Sequence, residues 1–201
     1  MGYVRVKICG IRDTETALGA ADAGADALGF VFAPGKRTIS PEEAREIIGK
    51  LPPLVSRVGV FVNLPAAEVA AIAAFAGLDT VQLHGEEPPE YCRDLGFKVI
   101  KSFPAGSAAD LERAKDYRVD GYLLDTPVQG RRGGTGRAFD WRLAAGLNAG
   151  PLILAGGLNP ENVREAIEIV RPYAVDVSSG VETGGCKDIG KIREFIRRVK
   201  G

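Results

Sequence analysis

Three side chains pose the chemical question: Cys9, Asp125 and Arg37. Cys9 closes the run Val4-Arg5-Val6-Lys7-Ile8-Cys9, just before Gly10. β-branched residues at 4, 6 and 8 followed by a glycine read as a strand with a thiol at its C-terminal tip. Asp125 follows Gly121-Tyr122-Leu123-Leu124 in the same way. A thiolate and a protonated carboxyl facing one ligand form a base–acid pair for moving protons. Partial burial beside Leu123-Leu124 would keep Asp125 protonated. Lys7, two residues before Cys9 on the same strand face, would favour the thiolate. Arg37 offers a planar fork that fits a carboxylate. Each has a plainer reading: a small buried apolar thiol, a turn cap beside Thr126-Pro127, and a surface charge.

Two glycine turns suit an anion. Leu154-Ala155-Gly156-Gly157-Leu158 and Val177-Ser178-Ser179-Gly180-Val181 each follow a β-branched or leucine-rich run. Glycines let backbone amides approach an anion closely, and a short helix N-terminus beyond the second turn would add its dipole. Gly156, Gly157, Ser178, Ser179 and Gly180 are therefore the candidate phosphate cradle; the plainer reading is a pair of tight turns. Asp176 is carried within the run Ala174–Val177, and His84 ends Val81-Gln82-Leu83-His84; both are placed at the site without a settled role. The basic, glycine-rich loop 130–137 is either a lid over an anionic ligand or a solvated surface loop.

The overall composition removes other classes. Lys+Arg and Asp+Glu both number 26, so the field expected of a nucleic-acid or membrane-surface protein is missing. The chain has three cysteines and one histidine. Cys9, Cys92 and Cys186 lack C-x-x-C spacing, so neither a disulfide framework nor a zinc site is indicated, and no metal or cofactor is expected. No apolar run approaches the roughly 20 residues of a membrane span, and the start of the chain has no signal-peptide pattern. A reducing cytoplasm fits.

The elements that must position these residues alternate. Eight short apolar runs are predicted strands: Val4–Cys9, Ala27–Phe32, Val58–Val62, Thr80–Leu83, Lys98–Phe103, Gly121–Leu124, Leu152–Leu154 and Ala174–Val177. Amphipathic runs follow them at Glu15–Ala23, Pro41–Lys50, Ala66–Phe75, Pro88–Leu95, Ala108–Tyr117, Phe139–Ala145, Pro160–Val170 and Ile189–Val199. Near-continuous apolar strands belong in a parallel sheet covered on both faces. Ser40-Pro41-Glu42-Glu43 predicts a capping box, and Asn159-Pro160 a second cap-plus-proline start. Eight such units in 201 residues predict one α/β domain spanning 1–201, a closed (β/α)8 barrel with an all-parallel eight-stranded sheet. An open doubly wound sheet would carry a glycine fingerprint in its first turn; Cys9-Gly10-Ile11-Arg12 is not one. In a barrel the C-terminal strand tips form the site, and that is where the polar candidates fall.

These segments together resemble the phosphoribosylanthranilate isomerase family. The likeness is carried by Val6-Lys7-Ile8-Cys9-Gly10, Gly29-Phe30-Val31-Phe32, Lys36-Arg37-Thr38-Ile39-Ser40, Gly59-Val60-Phe61-Val62-Asn63 and Val81-Gln82-Leu83-His84-Gly85. It continues through Leu123-Leu124-Asp125, Gly133-Gly134-Thr135-Gly136, Phe139-Asp140-Trp141, Ala155–Val163 and Asp176–Glu182. The resemblance implies a cofactor-free Amadori rearrangement of a phosphorylated small molecule in tryptophan biosynthesis. It implies Asp125 as general acid, Cys9 as general base, Arg37 on the anthranilate carboxylate, Asp176 near the anthranilate amine and the glycine turns on the phosphate. It also implies a monomer or a homodimer. The aminoaldose isomerase of histidine synthesis is the alternative, set apart by an Asp where Cys9 stands; a non-catalytic phosphate- or flavin-phosphate-binding barrel is a third.

Overall fold

The computed structural model describes residues 3–93, 95–105, 107–125, 141 and 149–201. Eight parallel strands close into a barrel in sequence order: β1 Arg5–Cys9, β2 Ala27–Val31, β3 Ser56–Phe61, β4 Thr80–Leu83, β5 Lys98–Pro104, β6 Gly121–Asp125, β7 Leu152–Leu154 and β8 Ala174–Val177. β8 returns to β1, with Lys7 opposite Asp176. The expectation of a closed (β/α)8 barrel holds, strand by strand, to within two residues.

Strand pairing decides which side chains point inward. Lys7 pairs with Ala27, Cys9 with Gly29, and Gly29 in turn with Val58. Ala27, Val58, Ile100, Leu123, Ile153, Ala155 and Ala174 form an apolar cluster separate from the main core. That cluster fills the barrel axis, while the larger core lies between strands and helices. Lys7, Gln82, Ser102 and Asp176 share the inward phase of their strands and are all at most 8% exposed. An apolar plug thus carries a polar layer toward the C-terminal tips.

Helices follow the strands at Thr14–Asp22, Pro41–Ile48, Ala66–Ala76, Ala108–Ala114, Val163–Val170 and Ile189–Lys200. The predicted capping box is present: Glu43 N–H donates to Ser40 Oγ at 3.2 Å and Ser40 N–H to Glu43 Oε2 at 2.9 Å. The last helix is capped by Asp188, whose carboxylate accepts from the Lys191 amide, and it ends in Arg197, Arg198 and Lys200. Both features complement the helix dipole.

Three expectations need correction. Among its described residues, the run Pro88–Leu95 forms only a 3₁₀ turn, Pro89–Cys92. Its entry is pinned by the buried Glu87, which accepts from the amides of Asn63 and Gly85 and pairs with Lys101 Nζ at 3.2 Å. Gly96, at φ 72°, reverses the chain shortly after. The helix after β7 begins at Val163 instead of Pro160. Asn159 Oδ1 accepts from the amides of Glu161 and Asn162 and draws those residues into a turn first. A two-stranded hairpin, Glu182–Thr183 with Cys186–Lys187, follows the 3₁₀ turn Ser179–Val181 and was not expected. The loop 130–137 and the run Phe139–Ala145 lie outside the described residues, apart from Trp141, which is helical and buried. No helix among the described residues is long and apolar enough to cross a membrane.

Candidate active site

Cys9 ends β1 facing the axis, 8% exposed. Its room comes from Gly29 across the strand pair: a Cβ there would stand 2.9 Å from the sulfur. Burial pushes the thiol above its ordinary range, Lys7 and Lys187 pull it back, and Asp176 pushes it further up. Lys7 acts in the expected direction, and burial, which the sequence does not show, outweighs it. Lys7 does favour the thiolate, but its ammonium is shared with Asp176 at 2.9 Å. For Lys7 itself burial acts downward, and the facing Asp176 and Cys9 outweigh it and raise it.

Asp125 ends β6, inward and partly buried. In the closed order β6 and β1 are separated by β7 and β8, so Cys9 and Asp125 approach the axis from well-separated positions on the rim. Asp125 Oδ2 lies 3.4 Å from His84 Nε2. His84 Nδ1 lies 3.1 Å from Gln82 Nε2, which also reaches Ser102 Oγ at 3.4 Å.

Arg37 lies over Gly10: a Cβ on Gly10, at φ 85°, would stand 2.5 Å from Arg37 Cδ. Its guanidinium is not free. Nε and Nη2 donate to the two oxygens of Glu182 at 2.7 and 3.0 Å. A second carboxylate therefore has to be met from the Nη1 side. Lys187 also binds Glu182, at 2.8 Å, and donates to Ser178 O and Oγ. Burial would raise the Glu182 carboxyl, but Arg37 and Lys187 hold it below its usual range.

The two glycine turns touch. A Cβ on Gly180 would fall 1.9 Å from the carbonyl oxygen of Leu158, so only glycine fits there. Gly156 and Gly157 are left-handed, at φ 82° and 68°, a conformation other residues rarely hold. Asn162 Nδ2 fastens the turn by donating to Gly157 O at 2.9 Å. Ser178 Oγ donates to Cys9 O at 2.9 Å, which ties the β8 turn to the thiol-bearing tip. Its hydroxyl is thereby committed. Ser179 opens the 3₁₀ turn beside it. Asp176 sits one step below, 8% exposed, held by Lys7.

The structure thus places Cys9, Asp125, His84, Asp176 and the two glycine turns at the C-terminal end of one barrel, with Arg37 at its mouth. Sequence reasoning missed Glu182, Lys187, Gln82 and Ser102. Gln82 and Ser102 were legible in principle, since strand alternation sets Gln82 on the same face as His84. Glu182 and Lys187 meet only because of the hairpin.

The sequence profile described as "N-(5'phosphoribosyl)anthranilate (PRA) isomerase" matches residues 6–198. The chain belongs to that family. The N-(5'-phosphoribosyl)anthranilate isomerase of Desulforudis audaxviator is 61% identical over 198 residues, covering 97% of each chain. The crystal structure of phosphoribosyl anthranilate isomerase from Thermotoga maritima matches at TM-score 0.93 and 52% identity, covering 98% of each chain. A phosphoribosyl anthranilate isomerase solved in complex with reduced 1-(o-carboxyphenylamino)-1-deoxyribulose 5-phosphate matches at TM-score 0.89 and 50% identity, covering 98% of each chain. Among the described residues, no three His, Cys, Asp or Glu side chains cluster to hold a metal ion.

Proposed function

We propose that this chain converts N-(5'-phosphoribosyl)anthranilate to 1-(o-carboxyphenylamino)-1-deoxyribulose 5-phosphate with Asp125 as general acid and Cys9 as general base. The activity and its place in tryptophan biosynthesis go with the family; the residue roles are our reading. The observation that supports them most is the inward placement of Cys9 and Asp125 at separate strand tips of one closed barrel.

The reaction opens when the Asp125 proton passes to the furanose ring oxygen. The C1–oxygen bond breaks as the nitrogen lone pair forms the C1=N bond of a Schiff base. The Cys9 thiolate then removes the proton from C2, and those electrons form C1=C2 while the C=N pair returns to nitrogen. The enolamine becomes the ketone when its hydroxyl proton leaves and C1 gains one. The active form of Cys9 is the thiolate; burial works against it and the ammonium groups of Lys7 and Lys187 favour it. Positioned acid and base groups of this kind contribute about 100- to 10,000-fold each.

Arg37, steadied by Glu182, meets the anthranilate carboxylate from its Nη1 side. The amides of Gly156, Gly157, Ser178, Ser179 and Gly180 receive the phosphate, and Asp176 faces the anthranilate amine. A single barrel domain over residues 1–201 in a cytoplasmic setting completes this reading. The test is a fluorescence assay of freshly made phosphoribosylanthranilate, with the Cys9→Ala variant alongside. Consumption by the native chain and its loss in the variant supports the assignment; near-normal turnover without the thiol removes Cys9 from it.

A further inference from the structure

Gln82 is a buried amide on the inward face of β4, 1% exposed. Its oxygen Oε1 has no hydrogen-bond partner among the described residues. Its nitrogen lies 3.1 Å from His84 Nδ1 and 3.4 Å from Ser102 Oγ. The two ends of an amide are told apart by their partners. With the amino group toward the ring and the hydroxyl, both amide protons are placed and a single carbonyl oxygen is left over. Turned round, the oxygen would accept twice, but an amino group with two protons would be stranded in the barrel. Buried donors without partners are rarer than under-satisfied carbonyls, so the first orientation stands.

That orientation fixes the next group. An N–H aimed at His84 Nδ1 requires a lone pair there, so the proton of the neutral ring sits on Nε2. Nε2 is the nitrogen 3.4 Å from Asp125 Oδ2. The four groups step around the rim: Gln82 on β4 with His84 just past its end, Ser102 on β5, Asp125 on β6. We propose that Gln82, steadied by Ser102, sets the tautomer of His84 so that its Nε2–H is held against Asp125. Gln82 and His84 are then positioning residues for the acid. When Asp125 gives its proton to the substrate, negative charge grows on its carboxylate. A donor 3.4 Å away needs only a short approach to meet that charge, and no proton leaves His84. The inference rests on the reading of Asp125 as the acid.

His84 is the only histidine in the chain, so the nitrogen-15 spectrum of the labelled full-length protein reports one imidazole. At a pH where the ring is neutral, Nε2 should carry the proton and Nδ1 should show a hydrogen-bonded lone pair. A proton on Nδ1 in the native chain overturns the proposal. Gln82→Glu puts an acceptor opposite Nδ1 and should move the proton there. It should lower kcat about 10- to 100-fold with KM within about threefold, the size expected for one hydrogen bond to a developing charge. A reversed tautomer with unchanged kcat, or an unchanged tautomer in this variant, also overturns it. Should Gln82→Glu fail to fold, Gln82→Met, similar in size and unable to donate, must release the ring into a mixture of tautomers. A single Nε2–H form in that variant counts against Gln82. Retained turnover in Asp125→Asn would instead sink the acid assignment, and it leaves the native His84 spectrum as it was.

Discussion

Replacing Lys7 by Met removes one half of the Lys7–Asp176 pair, whose side chains are 4% and 9% exposed and 2.9 Å apart. The remaining carboxylate is then buried among apolar strand residues with no cation facing it across the β1–β8 register. Removing one partner of a buried pair costs about 3–5 kcal/mol, whereas replacing both by apolar groups is often neutral. With a urea slope of about 2–3 kcal/mol per M for a chain of this size, the single variant should shift the unfolding midpoint down by about 1–2 M. Asp176→Leu should do the same, leaving a buried ammonium. The double variant Lys7→Met/Asp176→Leu should recover most of the loss, to within about 1 kcal/mol of the native chain. Equilibrium urea titration followed by tryptophan fluorescence and circular dichroism measures all four species. Simple additivity, with the double variant as weak as the sum of the two losses, would refute the claim that these charges act as a unit. The pair also has a pH signature. Lys7 is raised by its partner, so its contribution is complete below the ordinary lysine value of 10.5 and is lost only as pH climbs through the raised one.

Other expected outcomes can be checked separately. Cys9→Ala and Asp125→Asn should each lower turnover at least about 100-fold with substrate binding largely kept; steady-state kinetics read both. Arg37→Ala should raise KM, and Glu182→Gln should raise it less by loosening the guanidinium clamp seen in the 2.7 and 3.0 Å contacts; an unchanged KM in Arg37→Ala would remove the carboxylate assignment. Burial holds Cys9 protonated past the ordinary thiol value of 9.0, so its stabilising contribution is present below that pH and lost above it. Accordingly, a neutral haloacetamide should label exposed Cys186 first, and Cys9 only at higher pH. Asp176→Asn should move Cys9 labelling to lower pH, and mass spectrometry of the peptides decides. Dialysis against EDTA should leave turnover intact; inactivation would point to a metal at the strand tips.

Much of this protein is written locally. The alternation of short apolar runs with amphipathic ones dictated eight strands and a closed parallel sheet, because each run must bury two faces. Strand-tip positions alone marked Cys9, Asp125, His84 and Asp176, and Ser40-Pro41-Glu42-Glu43 declared its own cap. What the sequence does not carry is the balance among groups brought together from distant strands. Whether Lys7 serves the thiol or Asp176 depends on the β1–β8 register. Whether Arg37 stands alone depends on a hairpin that returns Glu182 and Lys187 to the barrel mouth. Whether Pro88–Leu95 makes a full helix depends on Glu87 finding Lys101 on another strand. Apolar periodicity is a property of neighbours along the chain. Charge pairing, desolvation and the direction of an amide are properties of neighbours in space, and only the closed barrel decides those.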